Sequence, residues 1–238
     1  MIPDDWRDLD NPRGMLRAVR DRAAGRAGFT RLLRLFACAA ARVVWLYVPD
    51  GVCRRAVEVA ERFADGHATA DELADVRRFA ERQAVLAARG RPSAAWAAAA
   101  TTDPDASNAA RRAVEEVLEL FAESAFVRDQ AARTLAHLLA DLFEPYILDP
   151  DATPEEPPEP VVRLRRFAAD PRVRAAAEQL YRDNDFRGLP GLGEVLRSAG
   201  CSDAYVLGHC KAGRHARGSW VVDALTGRGC PAAAVAGG

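Results

Sequence analysis

The sequence contains almost no lysine. Lys211 is the only lysine among 33 basic residues, whereas arginine and alanine are abundant throughout. This bias is typical of GC-rich codon usage, so a cluster of arginines is weak support for a binding surface in this chain. The formal net charge of −1 also excludes a global electrostatic attraction to nucleic acid or to an anionic membrane.

Cysteine is scarce, and long apolar runs are missing. The five cysteines are odd in number, widely separated and without a CxxC pair, which excludes a recognisable disulfide framework. The N-terminal segment is acidic and lacks the apolar stretch of a signal peptide. No apolar run approaches the roughly 20 residues of a membrane span. We therefore expect a cytoplasmic protein with free thiols and without a membrane span.

What the sequence does contain is helical periodicity. Apolar residues recur every three or four positions over most of the chain, which is the spacing of amphipathic helices. Helix starts are indicated by Asn11–Pro12, by Asp170–Pro171 and by a capping box from Thr69 to Glu72. We predict an all-α fold, as a multi-helix bundle or an irregular array of about ten helices.

The same signals predict individual helix boundaries. The strongest N-terminal helix is predicted over residues 30–48, with Leu46 on its buried face. The side chains of Asp50, Ser107 and Ser202 are each predicted to cap the helix that follows.

A segment rich in proline and acidic residues divides the chain. Proline removes amide donors and disfavours helical geometry in the residue before it, so residues 144–160 are predicted to form a linker without regular structure. The linker separates an N-terminal helical domain, residues 1–143, from a small C-terminal helical block, residues 161–229. Residues 230–238 are predicted to be a disordered tail.

The C-terminal block holds the residues best suited to a metal. Histidine nitrogen and cysteine sulfur are preferred zinc ligands, and His209, Cys210 and His215 are close in sequence, with Cys201 nearby. However, adjacent residues point in different directions on a helix, and no CxxC or HxxxH spacing is present. Zinc is therefore the less favoured interpretation, and a buried Cys210 that acts as a small apolar side chain is the favoured one.

The loop after this helix is basic and contains two glycines. Lys211, Arg214, His215 and Arg217 precede a predicted short helix at residues 220–225. A helix N-terminus offers free amides and a favourable dipole to an anion, so the loop is a candidate phosphate or carboxylate site. A solvated turn is the favoured alternative, because a glycine-rich loop without a preceding strand is weak support for such a site.

Arginines on one predicted helix are a candidate nucleic-acid surface. Arg31, Arg34 and Arg42 share one face, close to Trp45, and guanidinium groups suit bidentate contact with phosphate. Aspartates near the N-terminus offset this charge. An ordinary exposed helix face is the favoured interpretation, and a nucleic-acid partner is not expected.

Two carboxylate patterns carry less information. His137 and Asp141 lie one helical turn apart, but such polar pairs are common on helix surfaces. Asp183, Asp185 and Asp203 carry carboxylates that suit a divalent cation, but Asp183-Asn184-Asp185 lacks the remainder of a calcium loop. We expect a surface pair in the first case and loop residues in the second.

Three segments resemble one family of proteins. They read LRLFACAAARVVW (residues 33–45), RRAVEVAERFADG (54–66) and LPGLGEVLRSAGCSDAYVLGHCKAGRHARGSWVVDALTG (189–227). They are similar to segments of a family of uncharacterised proteins from planctomycete bacteria. The first segment departs from the family's pattern of a cysteine pair followed by two arginines, because Ala40-Ala41-Arg42 stands there. The resemblance implies a bacterial protein and no particular activity.

The favoured function is a non-enzymatic protein-interaction or adaptor module with an unidentified protein partner and no cofactor. It follows from the many amphipathic helices and from the lack of a specific catalytic motif in the sequence. One alternative is a metal- or anion-binding enzyme that uses residues 209–217, with zinc as the possible cofactor. The other is a helical nucleic-acid-binding protein that uses the arginines of residues 31–42.

Overall fold

The computed structural model describes Trp6 and residues 8–26, 28–87 and 92–228. These residues form twelve α-helices and no strand, which confirms the all-α class. The helices are α1 (Pro12–Ala23), α2 (Gly28–Val43), α3 (Val52–Ala64), α4 (Ala70–Leu86), α5 (Pro92–Ala100), α6 (Ala106–Leu120), α7 (Ala125–Leu148), α8 (Glu159–Arg165), α9 (Pro171–Asp183), α10 (Leu189–Ser198), α11 (Ala204–Lys211) and α12 (Trp220–Thr226). The tail predicted at 230–238 lies outside the described residues.

None of the helices in the described part of the chain combines the length and apolar character needed to cross a membrane. In helices such as α6 and α9 the buried residues lie on one face, as the periodicity predicts, whereas α2 is buried on all sides from Leu32 to Ala41.

Local sequence signals fix several helix starts. The Asn11 side chain accepts a first-turn amide of α1 at 2.9 Å. Thr69 and Glu72 form the predicted capping box of α4, and Asp170 accepts a first-turn amide of α9 at 2.8 Å. Each cap satisfies an amide that the first helical turn leaves free, so these three predictions are confirmed.

Two predicted caps are wrong by one or two residues. Asp105, and not Ser107, caps α6, and Asp203, and not Ser202, caps α11. In both cases a carboxylate next to the predicted serine accepts the amide. Its charge gains from the helix dipole and makes a stronger hydrogen bond than a hydroxyl.

Helix α2 is shorter than predicted. It ends at Val43 and is followed by turns, so that Leu46 is 92% exposed and does not belong to the buried face. The next helix starts after Gly51, whose φ of 76° occupies the left-handed region, and Asp50 does not cap it. A glycine takes this conformation without the cost that a side chain incurs.

The irregular linker is also shorter than predicted. Helix α7 continues to Leu148 and α8 begins at Glu159, so only residues 149–158 lack helical structure. The prediction that no regular element survives in 144–160 is therefore wrong at both ends.

Pro145 lies inside α7. An internal proline costs roughly 3 kcal/mol, because it removes a hydrogen bond and clashes with the preceding turn. The same turns bury Phe143 and Tyr146, which pack against Phe29 at ring-centroid distances of 6.4 and 5.9 Å. Burial of one large apolar side chain contributes about 1.5–3 kcal/mol, so this contact offsets the cost of the proline.

Buried apolar side chains form two separate cores. The N-terminal core contains buried residues between Trp6 and Ala152, from α1 to α7. The C-terminal core contains buried residues between Val161 and Leu225, from α8 to α12. The two cores do not merge, so the contacts that join the two halves must be polar or very local.

Gly218 brings the backbone of the C-terminal half against the N-terminal core. Its φ is +94°, and a Cβ built on it would lie 2.9 Å from Leu35 Cδ1 and 3.3 Å from Leu142 Cδ2. A side chain here would be disfavoured both by the backbone conformation and by the lack of space.

We expect Gly218→Ala to lower the free energy of unfolding in urea more than Gly66→Ala does. Gly66 has a similar φ of +75° but open space around it, so its substitution isolates the conformational cost. The overpacking at Gly218 should add about 1–3 kcal/mol. Equal losses for the two variants would contradict close packing at this junction.

Candidate functional site

The loop between α11 and α12, residues 212–219, lies at the junction of the two cores. We call it the junction loop. Together with the helices on either side, it contacts two buried carboxylates of the N-terminal half, Asp141 on α7 and Asp65 at the end of α3. The candidate site is built around these two carboxylates.

Asp141 is 2% exposed and accepts four hydrogen bonds from the C-terminal half. Its Oδ1 accepts from His209 Nε2 (3.0 Å), His215 Nδ1 (2.8 Å) and Ser219 Oγ (2.8 Å), and its Oδ2 accepts from the amide of Ala216 (2.9 Å). A buried carboxylate is tolerated only when its oxygens are satisfied. The loop predicted to bind an external anion thus already holds a carboxylate of its own chain.

Opposing effects act on the pKa of Asp141. Burial alone raises it, but hydrogen bonds from His209 and His215 outweigh burial and hold the pKa at about 2, below the ordinary value of 3.8. Asp141 is therefore ionised near neutral pH. The expectation of a surface pair between His137 and Asp141 is wrong, because Asp141 is buried and takes its partners from another part of the chain.

Trp220 fixes the tautomer of His209. The indole Nε1–H can only donate, and it lies 3.1 Å from His209 Nδ1, so Nδ1 carries no proton and Nε2–H donates to Asp141. Asp141, His209 and His215 bring ligand-type atoms within 4.8 Å of one another. A metal on His209 Nε2, however, requires the opposite tautomer, with Nδ1–H donating to an acceptor. The indole donor therefore opposes a metal at this cluster.

His215 has one satisfied and one unsatisfied ring nitrogen. Nδ1 faces the ionised Asp141 at 2.8 Å and must donate to it. Nε2 lies on the far side of the ring, is buried, and has no hydrogen-bond partner within the described residues. Because an unsatisfied buried polar atom costs about 1–3 kcal/mol, Nε2 is a favourable place for a ligand atom to form a hydrogen bond.

A second buried network joins the two halves through Asp65. Its carboxylate accepts from Arg31 Nη2 (2.9 Å), Arg217 Nε (2.8 Å) and the Tyr181 hydroxyl (2.6 Å), and Arg31 also pairs with Asp223 on α12. Burial raises the pKa of Asp65, but the guanidinium groups and the tyrosine outweigh it and lower the pKa below its ordinary value. Two arginines face two aspartates in this network, and burial raises the pKa of Asp223.

Cys210 does not join the two histidines. Cys210 is fully buried in the C-terminal core. It packs closely against Gly193, because a Cβ built on Gly193 would lie 2.9 Å from the Cβ of Cys210. Burial is the main reason that the pKa of its thiol rises to about 12, which disfavours the thiolate that zinc requires. Of the three predicted metal ligands, the structure brings His209 and His215 together, adds Asp141 and places Cys210 elsewhere.

The arginines of the candidate nucleic-acid surface bind groups of their own chain. Arg31 pairs with the carboxylates of the second network. Arg34 is 1% exposed and donates to two backbone carbonyls before α6, and Arg42 forms a bidentate pair with Glu61. The expectation of an ordinary exposed helix face is also wrong, because this face packs inside the molecule.

A pocket of about 320 Å³ lies beside the junction loop. Both halves of the chain line it, and we call it the inter-core pocket. Four arginines and two carboxylates contribute to it, so its lining carries an excess of positive charge. The charged lining residues are Arg42, Glu61, Asp185, Arg187, Arg214 and Arg217.

Several donors in the inter-core pocket are free for a ligand. Arg214 makes no hydrogen bond or ion pair within the described residues. Arg42 uses Nε and Nη2 for Glu61, and Arg217 uses Nε and Nη1, so one amino group of each has no partner there. Of the predicted anion-binding residues, Arg214, His215 and Arg217 line this pocket, whereas Lys211 is exposed at the end of α11 and does not.

A second pocket, of about 400 Å³, shares Arg214 and His215 with the first. Its lining includes the carboxylates of Asp141 and Glu144, and the Tyr205 hydroxyl lies 3.2 Å from Glu144. One arginine and two carboxylates give this pocket no excess of positive charge, so the inter-core pocket is the better place for an anion.

Sequence reasoning missed Asp65, Tyr181 and Asp223, and it assigned Asp141 to the surface. One available signal was a lone carboxylate within an apolar run, in LLADLF around Asp141 and WVVDAL around Asp223. A charge in such a run is buried with the helix face and is stable only when it is paired. Asp65 follows a helix end and carries no comparable signal.

Comparison with known proteins adds no family to this description. No protein-family model matches the chain, and neither the curated proteins nor the solved structures contain a match. Function must therefore be inferred from the residues of the site.

Asp141→Asn should make the protein less stable at neutral pH, by about 3 kcal/mol, because the replacement lacks the charge that four donors surround. It should also change the pH dependence. The folded pKa of Asp141, about 2, lies below its ordinary value of 3.8, so its contribution is present above pH 4 and is lost as the pH falls towards 2. Urea unfolding between pH 2 and 7 should show this loss of about 2 kcal/mol in the wild type but not in Asp141→Asn.

Asp129→Asn is the matched control for this experiment, because Asp129 lies on the same helix and is exposed. We expect it to follow the wild-type curve. If Asp141→Asn were as stable as this control, the four hydrogen bonds would not define the junction.

Zinc should not bind stoichiometrically to Asp141, His209 and His215, because Trp220 holds His209 in the wrong tautomer. Elemental analysis after exposure to zinc and dialysis checks this expectation. Trp220→Phe removes the donor to His209, and its affinity for zinc should exceed that of the wild type by about 10-fold or more. One zinc per wild-type chain, lost in His209→Ala, would contradict the tautomer assignment.

Proposed function

We propose that this protein is a non-enzymatic binding module that recognises an anionic group in the inter-core pocket. The supporting observation is the set of donors around that pocket that have no partner among the described residues: Arg214 and one amino group each of Arg42 and Arg217. Charge-assisted hydrogen bonds from arginine are among the strongest contacts that a protein makes to a phosphate or carboxylate.

The position of the pocket supports binding. It lies at a junction of two cores, which is a common place for ligand sites, and it is open to solvent through the exposed Arg214 and Arg187. An anionic group on the side chain or terminus of a partner protein can enter such a pocket. The protein therefore acts as an adaptor module that recognises an anionic group on an unidentified partner protein.

The donors and nucleophiles near the pocket favour binding over catalysis. Asp141 and His215 resemble the orienting pair of a general base, but within the described residues no activated nucleophile accompanies them. The Ser219 hydroxyl donates to Asp141, and the thiols of Cys38 and Cys210 are buried with raised pKa values. A zinc enzyme is disfavoured by the indole donor at His209, and nucleic-acid binding by the internal pairing of the arginines on α2.

We also propose that the protein is cytoplasmic. The thiols of Cys38, Cys53, Cys201 and Cys210 are free and buried, which is consistent with a cytoplasmic protein. Membership of the planctomycete family is proposed from the sequence resemblance alone.

The proposal predicts saturable binding of inorganic phosphate, sulfate or citrate at constant ionic strength, followed by calorimetry or by amide NMR shifts. Arg214→Ala should weaken this binding by about 10-fold or more, because it removes a charge-assisted hydrogen bond. The fold should be unaffected, since Arg214 is exposed and makes no hydrogen bond or ion pair with another described residue.

Arg78→Ala is the control for charge. Arg78 is exposed on α4, pairs with the neighbouring Asp75 and does not line the pocket, so its loss changes the net charge by the same amount without altering the pocket. Absence of saturable binding of all three anions, or equal weakening by the two variants, would overturn the proposed site.

A further inference from the structure

We propose that the inter-core pocket takes a phosphate monoester, and that His215 Nε2 donates a hydrogen bond to a phosphate oxygen. This inference rests on the proposed function and names the ligand class of the same pocket. Three features carry it: the orientation of His215, the unused donors of the lining and the apolar wall beside them.

His215 is held between Asp141 and the pocket. Nδ1 donates to Asp141 Oδ1, so the ring cannot turn over without losing this bond, and Nε2 is left buried and without a partner in the described chain. A phosphate oxygen in the pocket supplies that partner. The proton on Nε2 comes from solvent or from the phosphate monoanion, and no covalent bond to carbon or phosphorus changes.

The surroundings of His215 are fixed on the side of His209. The ring of His209, with its centroid 5.1 Å away, is held by Trp220. Arg214 and Arg217 line the same pocket as His215, so an anion bound beside His215 also lies beside their guanidinium groups.

The free donors of the lining match a phosphate monoester. Arg42, Arg187 and Arg217 pair with Glu61, Asp185 and Asp65, so Arg214 is the lining arginine without a carboxylate partner in the described chain. Unused donors remain on Arg42, Arg214 and Arg217, in addition to His215 Nε2. A phosphate monoester presents three strong acceptor oxygens, whereas a carboxylate presents two and would leave part of these donors without a partner.

The remaining lining favours an ester over inorganic phosphate. Ala39, Val43, Leu138 and Phe186 also line the pocket. These side chains can pack against the organic part of an ester, which inorganic phosphate lacks. Phenyl phosphate combines both parts, and benzoate is its carboxylate counterpart with the same aromatic ring.

The test is a calorimetric titration of the full chain with phenyl phosphate and with benzoate, at pH 7 and constant ionic strength. We expect phenyl phosphate to bind about 10-fold or more tightly than benzoate. Long-range ¹H–¹⁵N spectra should show that Nε2 of His215 becomes protonated, or engaged in a hydrogen bond, when phenyl phosphate saturates the site.

Two variants separate ligand contact from docking of the loop. His215→Gln should reduce the preference for phenyl phosphate to near parity. Ser219→Ala also removes a donor to Asp141 but does not line the pocket, and it should keep the preference. The wild-type ¹⁵N spectrum decides the role of His215 even if His215→Gln does not fold.

Equal affinities for the two probes, or an unchanged Nε2 signal at saturation, would overturn the phosphate assignment. If the two probes bound equally and Arg214→Ala weakened the binding of both, the anion-binding function would stand and the phosphate assignment would fall. If neither probe bound and the inorganic anions also failed to bind, both proposals would be wrong.

Discussion

Two buried carboxylates determine how the halves of this protein fit together. The apolar cores do not merge, so the hydrophobic effect stabilises each core but does little to orient one against the other. Asp141 and Asp65 supply the orientation, because each buried oxygen requires donors at defined distances and most of these donors come from the C-terminal half. Such networks specify an arrangement more than they add net stability.

The inter-core pocket is a consequence of the same contacts. His215 and Arg217 each use one nitrogen for a buried carboxylate and have another without a strong partner, and both line the pocket together with Arg42 from α2. A ligand in the pocket therefore touches both halves. Its binding and the docking of the junction loop favour each other, because each holds the same side chains in place.

The fold was largely predictable, and the errors have local physical causes. The caps at Asn11 and Thr69 depend on neighbours in the sequence, so they could be predicted. The length of α7 could not be predicted, because the cost of Pro145 is offset by aromatic packing against a helix that is distant in sequence. For the site, residue chemistry singled out His209 and His215, whereas their common partner lies about 70 positions away in sequence and no spacing rule connects them.

The sequence by itself determined the all-α class, several helix starts and the positions of the basic loop, His209 and His215, because periodicity and capping act within a few residues. The tertiary structure alone decided which charges are buried and how they pair. Arg31 and Arg42 of α2 form internal ion pairs, and Asp141, which was expected on the surface, is buried at the centre of the junction. Pairing of charges is decided by distance in space, and the low dielectric of the interior makes that pairing obligatory only after the cores have formed.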